Sequence, residues 1–406
     1  MSWLPLQPTS LFSLANIPFG IFSTPNNSTC RPGIAIGDYV LDPQSFANGG
    51  GFCASVDIQQ HVAVFSAKTL NPFAILGRKF QRTVREYLQS ILSIDTKNPE
   101  ILRDNFVLRK DAIISLFDVQ MHRPLDIGDY TDFYAGIHHA SNVGKILRGP
   151  ANALQPNYTH MPIAYHGRAS SVVISGTAIR RPWGQIVPNL KAETKVPILG
   201  PSEKLDFELE LGLFICQENT MGEPISISEA EKYVFGYVLI NDWSARDLQS
   251  WEYVPLGPFG AKNFGTSISA WVVLADAIET TKGSGIQNSS QLLPYLSENS
   301  LNSIPQIELE VEITTAKGHS TTITRTNSKN LLWSWPQIIA HHTITGCNLR
   351  PGDLLGSGTI SGAEPGPEGS MMEQTQNGKV PIQLDGGEER TVLLDGDTIT
   401  LRGWAG

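Results

Sequence analysis

Long hydrophobic runs are missing from this 406-residue sequence. No stretch reaches the roughly 18 consecutive apolar residues of a membrane-crossing helix, so no membrane span is expected. Cysteine is scarce: Cys30, Cys53, Cys216 and Cys347 lie far apart. They lack the Cys-x-x-Cys or Cys/His spacing of a zinc site. They read as buried free thiols of a reducing, cytoplasmic compartment. Charge is scarce as well, at 17% Asp, Glu, Lys and Arg. A low charged fraction points to extensive burial, an oligomer interface included. Basic charge is in deficit, with a net charge of −9, which excludes an electrostatic footprint for nucleic acid. The opening Met-Ser-Trp-Leu-Pro-Leu-Gln-Pro has no basic n-region, and Pro5 and Pro8 break its apolar run. No secretory leader is expected, so the Asn-X-Ser/Thr frames at Asn26, Asn157 and Asn288 carry no meaning.

What is present is a globular, turn-rich composition, with 41% apolar residues, 37 Gly and 26 Pro. The length exceeds one compact core and implies two domains, or one with a large extension. Residues 1–118 read as a separate unit. Ile34–Leu41 has the strand, Gly-Asp turn and strand of a hairpin. Residues 74–94 read as a helix, because Phe80, Val84, Leu88 and Ile91 share one face and Arg78, Arg82 and Arg85 lie mostly on the other. From about 120 the chain is strand-rich. Strands are predicted over Ser170–Ser175, Leu205–Leu211, Tyr233–Ile240, Ala270–Leu274, Ile307–Thr314, His319–Arg325 and Thr391–Leu401. Asn330–His342 is the best helical pattern there. Lys191–Glu203 and Ser284–Ser303 read as surface loops. The region is a mixed β architecture and not a doubly wound sheet.

Chemistry concentrates in Lys204–Gly212. Leu205, Phe207, Leu209 and Leu211 fall on one face of a strand, and Asp206, Glu208 and Glu210 on the other. Same-face carboxylates roughly 7 Å apart repel by about 2 kcal/mol. Asp and Glu are also poor strand formers. With no Lys or Arg between them, such a row either faces solvent or is held by a cation. Hard divalent ions such as Ca²⁺ and Mg²⁺ take oxygen ligands of this type.

Four more segments are polar where core or plain loop is expected. Residues 127–134, followed by His138, His139 and Arg148, could supply a ligand, a hydroxyl, a base and an anion clamp. Asn241–Asp247 is an acid-rich turn that follows an apolar strand. Pro255–Thr266 is a loop that delivers Lys262 and Thr266. Arg350–Gly362 is rich in small residues that let a ligand approach the backbone, and Glu373 follows it.

The strings IGDYTDFY at 127–134, YHGRASS at 165–171, LDFELE at 205–210, NDWSARD at 241–247, WEYVPLGPF at 251–259 and GCNLRPGDLLGSGTISG at 346–362 occur in that order. In them the whole chain resembles the fumarylacetoacetase (fumarylacetoacetate hydrolase) family, whose reaction is the last step of tyrosine breakdown. The resemblance implies a mostly β, α+β fold. A small SH3-like barrel over 1–118 would precede a β-sandwich roll over 119–406, with active sites near a homodimer interface. It implies that Asp132, Glu208, Glu210 and Asp242 hold Ca²⁺, with Asp206 dropping from the ligand set. Asp242, Lys262 and Thr266 would surround a second, Mg²⁺ site. His139, and not His138, would be the general base, with Glu373 as its carboxylate partner. Arg246 and Lys262 would flank the reacting carbonyl. Tyr134, Arg148, Gln249, Tyr253 and Thr359 would contact a diketo-acid substrate.

The resemblance also implies a last strand and tail beyond Gly406, whose absence would leave an edge unpaired. The segment 363–369 departs from the family pattern in being unusually Pro/Gly-rich, and an altered reach of Glu373 to His139 is expected from it. Two other readings compete. One is a related superfamily activity, such as an acylpyruvate hydrolase or keto-acid decarboxylase. The other is an inactive paralogue kept for interaction, against which the intact His139, Glu373, Lys262 and carboxylates argue.

Overall fold

The computed structural model describes residues 1–7, 10–189, 192–364 and 366–406. Pro8, Lys191 at the head of the expected loop 191–203, and Pro365 within 363–369 lie outside the described residues.

The architecture is mostly β-sheet with some helices. One mixed sheet forms its spine. Side by side it holds Ile113–Ser115, Tyr39–Leu41, Asn27–Ile36, Phe19–Thr24, Trp271–Leu274, Val234–Asp242, Leu209–Ile215, Leu354–Gly356, Tyr130–Phe133 and Ala164–His166. Leu354–Gly356 runs parallel to Tyr130–Phe133, and Thr266–Ile268 runs parallel to Val172–Ile174. The other pairs along the sheet are antiparallel. Val234–Asp242 sits centrally and is buried along nearly its whole length, which explains its unbroken apolar sequence. A second, three-stranded sheet places Glu308–Thr314 between Ser320–Asn327 and the outer strand Thr398–Trp404.

Residues 1–118 do not stand apart from this spine. Phe19 and Gly20 pair with Val272 and Trp271. One apolar core holds Phe46, Phe73 and Leu88 together with Phe214, Phe235 and Val272. The expected hairpin is present: Asn27–Ile36 and Tyr39–Leu41 pair across Gly37, whose φ of +58° suits a residue without Cβ. The helix expected over 74–94 spans Gly77–Leu92, with Val84, Leu88 and Ile91 buried. Its Arg78 and Arg82 reach across to Asp276 at 2.8 and 2.6 Å.

Several expectations need correction. The strand over 205–211 is broken into Leu205–Asp206 and Leu209–Ile215, because Glu208 bridges to Ser370 instead of continuing the ladder. The helix placed from Asn330 is Trp335–Thr343, because the Ser334 and Gln337 side chains form a capping box that fixes its start. The loop expected over 191–203 contains Ile198–Pro201, paired with Trp183–Ile186. The cysteines are unpaired, but only Cys216 is buried; Cys53 and Cys347 are exposed on loops.

Candidate active site

Three strands deliver three carboxylates to one point. Asp132 lies on Tyr130–Phe133, Glu210 on Leu209–Ile215, and Asp242 ends Val234–Asp242. One oxygen of each lies within 4.8 Å of the others, and all three residues are buried. Leu354–Gly356 runs between the first two strands. A Cβ on Gly356 would sit 2.4 Å from Asp132 Oδ1 and 3.1 Å from Glu210 Oε2, so a residue without a side chain opens the space. Asp132 Oδ1 and both Glu210 oxygens are buried without a hydrogen-bond partner among the described residues. Burial and the neighbouring carboxylates push the Asp132 and Glu210 carboxyls well above their ordinary range. Crowded, orphaned carboxylate oxygens are the donor set of a hard divalent cation, and the triad fits one. The Tyr165 hydroxyl donates to Asp242 Oδ2 at 2.9 Å and steadies the third ligand.

Two buried cations stand beside the triad. Lys262 Nζ donates to Asp242 Oδ2 and, at 2.5 Å, to Glu208 Oε2. Arg246 Nε donates to Asp206 Oδ2 at 2.7 Å, and its Nη2 lies 2.7 Å from Glu208 Oε1. Burial disfavours both positive charges, but the facing carboxylates outweigh it and raise both pKa values. Burial likewise opposes the Glu208 charge, yet Lys262 and Arg246 hold its carboxyl below the usual range. The row of acids thus divides its work. Asp206 ties Arg246 to the backbone N–H groups of Met371 and Met372. Glu208 lies between the two cations, and Glu210 joins the triad. The positive charges absent from the local sequence arrive from 40 and 54 residues away. Thr266 Oγ1 donates to Asp242 Oδ1 at 3.4 Å, which brings Asp242, Lys262 and Thr266 together.

The helix Ile137–Arg148 presents His139, which is buried. Its Nδ1 lies 2.5 Å from Glu373 Oε2, and its Nε2 lies 3.7 Å from Glu208 Oε1. Glu373 rides on the short helix Met371–Gln374, capped by Ser370. The Ser361 and Ser370 hydroxyls donate to Glu373 Oε2 at 3.0 and 2.8 Å, and Asn142 Nδ2 donates to Oε1 at 3.0 Å. Burial alone would raise the Glu373 carboxyl; the His139 charge and these hydrogen bonds outweigh it and hold it low.

Other expected contacts gather less completely. The Tyr134 ring meets His139 edge-on, with centroids 5.6 Å apart. Gln249 Oε1 accepts from Arg246 Nη1 at 3.1 Å. Thr359 Oγ1 is buried without a hydrogen-bond partner among the described residues. Arg148 is held by the Asn152 and Ala153 carbonyls at 3.0 and 2.8 Å, on the loop that follows its helix. Tyr253 closes the helix Arg246–Glu252 and is half-buried. Sequence reasoning gave no role to Asn142, Tyr165, Gly356, Ser361 or Ser370. The one available signal was the three-residue spacing of His139 and Asn142 on what proves to be a helix.

A His–carboxylate pair beside an acidic triad ringed by cations defines the class: a hydrolytic centre for an anionic small molecule. Comparison with known proteins is consistent with this. The family described as fumarylacetoacetate (FAA) hydrolase C-terminal matches residues 130–404, and the one described as fumarylacetoacetase N-terminal matches 15–124. The fumarylacetoacetase of Emericella nidulans is 58% identical across 100% of this chain and 94% of its own length. Those of Arabidopsis thaliana and Homo sapiens are 47% and 45% identical, over 99% and 100% of this chain and 93% and 94% of theirs. A solved fumarylacetoacetate hydrolase from Exiguobacterium antarcticum shares the fold, with TM-score 0.52 and 16% identity over 95% of both chains. This chain belongs to the fumarylacetoacetase family.

Proposed function

We propose that the chain hydrolyses a carbon–carbon bond of 4-fumarylacetoacetate, giving fumarate and acetoacetate in the last step of phenylalanine and tyrosine catabolism. The observation that carries this reading is the buried His139–Glu373 pair set against Glu208, Lys262 and Arg246. Water is a poor nucleophile at neutral pH. His139 Nε2 takes its proton while Glu373 holds the Nδ1–H and stabilises the imidazolium, the logic of a triad with water in place of serine. The oxygen of water bonds to the carbonyl carbon, and Lys262, Arg246 and Gln249 supply donors to the resulting alkoxide. Each such donor is commonly worth about 3–4 kcal/mol. Collapse of the alkoxide breaks the C–C bond, and the electron pair leaves on the acetoacetate carbon, which then gains a proton. Asp132, Glu210 and Asp242 would hold a divalent cation, which when bound would supply Lewis-acid polarisation and stabilise developing negative charge.

We assign Ca²⁺ to this triad, with Glu208 as its fourth carboxylate, and Mg²⁺ to a second site around Asp242, Lys262 and Thr266, where the Lys262 ammonium is a neighbour and not a side-chain ligand. Tyr134, Arg148, Gln249, Tyr253 and Thr359 are the proposed substrate contacts. The strands Phe19–Thr24, Asn27–Ile36, Tyr39–Leu41 and Ile113–Ser115 are read as belonging to the small SH3-like barrel over 1–118. A cytoplasmic setting is supported by four unpaired cysteines. No helix among the described residues is long and apolar enough to cross a membrane. A homodimer is supported by exposed apolar side chains. Trp183 and Leu199 lie on the 183–201 hairpin, and Leu256 and Phe259 on the loop after Tyr253. A dimer in sedimentation is expected, and a fully active monomer would exclude it.

Turnover of fumarylacetoacetate, followed by loss of diketone absorbance with and without chelator, tests the main reading. Chelator-sensitive release of fumarate and acetoacetate is expected. Absence of turnover with metal restored, beside cleavage of an acylpyruvate, would replace it.

A further inference from the structure

His139 and Asn142 stand one turn apart on the helix Ile137–Arg148 and share a face. Both reach the same carboxylate. His139 Nδ1 meets Glu373 Oε2 at 2.5 Å, and Asn142 Nδ2 meets Oε1 at 3.0 Å. A carboxylate only accepts, so the amide nitrogen of Asn142 must be the end that faces it. Ser361 and Ser370 also donate to Glu373, but both act on Oε2, the oxygen that His139 uses. Asn142 is therefore the hydrogen-bond partner of Oε1 among the described residues.

That asymmetry matters because the terminal torsion of a glutamate is soft and has no sharp staggered minima. Rotation about that torsion swings both oxygens together, and the imidazole bonded to Oε2 would follow; His139, Ser361 and Ser370 restrain it from the Oε2 side alone. A second donor on the other oxygen, from the helix that carries the imidazole, fixes both planes to one rigid element. Imidazole orientation decides where Nε2 points, and near-attack geometry is sensitive to shifts of about 1 Å.

We propose that Asn142 is a positioning residue for the hydrolytic reaction: its amide locks the plane of Glu373, and so aims His139 Nε2 at the attacking water. The inference rests on the reading of His139 as the base. Asn142 is only half-buried, so its variants should fold.

The test compares Asn142→Leu, Asn142→Asp and His139→Ala in the full-length, metal-loaded protein, with fumarylacetoacetate as substrate. Asn142→Asp keeps the shape but turns an acceptor toward Glu373. For both Asn142 variants kcat is expected to fall roughly ten- to a hundredfold, with KM, Ca²⁺ affinity and secondary structure held near wild type and a lower unfolding midpoint, because the buried Glu373 loses a donor. Asn142→Asp should be at least as impaired as Asn142→Leu. Wild-type kcat in Asn142→Asp, with His139→Ala inactive, would overturn the inference and leave the base assignment standing. A fall in kcat matched by a fall in Ca²⁺ affinity or by lost secondary structure at the assay temperature would also overturn it, as a structural effect. Retained turnover in His139→Ala would instead overturn the reading beneath it.

Discussion

Asp206 Oδ2 accepts the Arg246 Nε hydrogen at 2.7 Å inside the protein, where both side chains are nearly solvent-free. The same carboxylate accepts from the Met371 and Met372 N–H groups at 2.8 and 3.0 Å. It thus joins a cation of the site to the start of the helix that carries Glu373. Asp206→Asn places an amide against the guanidinium and leaves a buried charge short of its partner. Breaking a buried pair from one side costs about 3–5 kcal/mol. Denaturant unfolding should show a loss of that size, with lower turnover. Unchanged stability would show that Arg246 is satisfied by Glu208 alone.

His139 and His138 are neighbours with different surroundings. His139 is buried against Glu373, whereas His138 is half-buried. His139→Ala should lower kcat by roughly a hundredfold or more, the scale of general-base catalysis, while a substrate analogue still binds. His138→Ala should be mild. Steady-state kinetics decide the ranking, and the reverse order would exchange the two roles.

Gly356→Ala and Glu208→Gln probe different parts of the site. An added Cβ at 356 strikes Asp132 Oδ1 at 2.4 Å, so metal affinity should fall roughly ten- to a hundredfold. Glu208→Gln should lower turnover with secondary structure intact. If Glu208 is a ligand, Ca²⁺ affinity in titration calorimetry falls too. If that affinity is unchanged, Glu208 serves only as counter-ion to Lys262 and Arg246.

Metal removal should reverse the pH dependence of stability. Burial first, then neighbouring carboxylates, raise Asp132 and Glu210 above their unfolded values, and Asp242 is raised as well. Between the ordinary carboxylate range and those raised values the folded, metal-free protein holds more protons than the unfolded chain. Its stability therefore falls as pH rises through that window. Glu208 and Glu373 are shifted down; their contribution is present at neutral pH and is lost only below the ordinary carboxylate range. The chelated protein should melt highest just above the ordinary carboxylate range and progressively lower as pH rises from there. The metal-loaded protein should do the opposite, because protons compete for the ligands.

The sequence exposed the acidic row because strand periodicity puts Asp206, Glu208 and Glu210 on one side. It did not separate their roles, since Arg246, Lys262 and the Met371 amide arrive from distant segments. The helix Ile137–Arg148 stayed hidden for a local reason. Gly136 caps it without a side-chain hydrogen bond, and Gly144 sits inside it. That glycine reflects crowding, because a Cβ there would meet the Ala153 carbonyl oxygen at 1.8 Å. The hairpin of Trp183–Ile186 with Ile198–Pro201 was obscured because it carries Pro201 and mostly exposed residues. The strands Val234–Asp242 and Glu308–Thr314 were legible because continuous or alternating apolar residues there meet no competing signal.

The pairing of Phe19 and Gly20 with Trp271 and Val272 gives the first hundred or so residues a protective duty. A chain begun after them would present Trp271–Leu274 with a bare row of amides and carbonyls, beside the uncovered side chains of Phe214 and Phe235. Such an edge is a template for joining another chain. Loss of the N-terminal part should therefore appear first as insoluble protein.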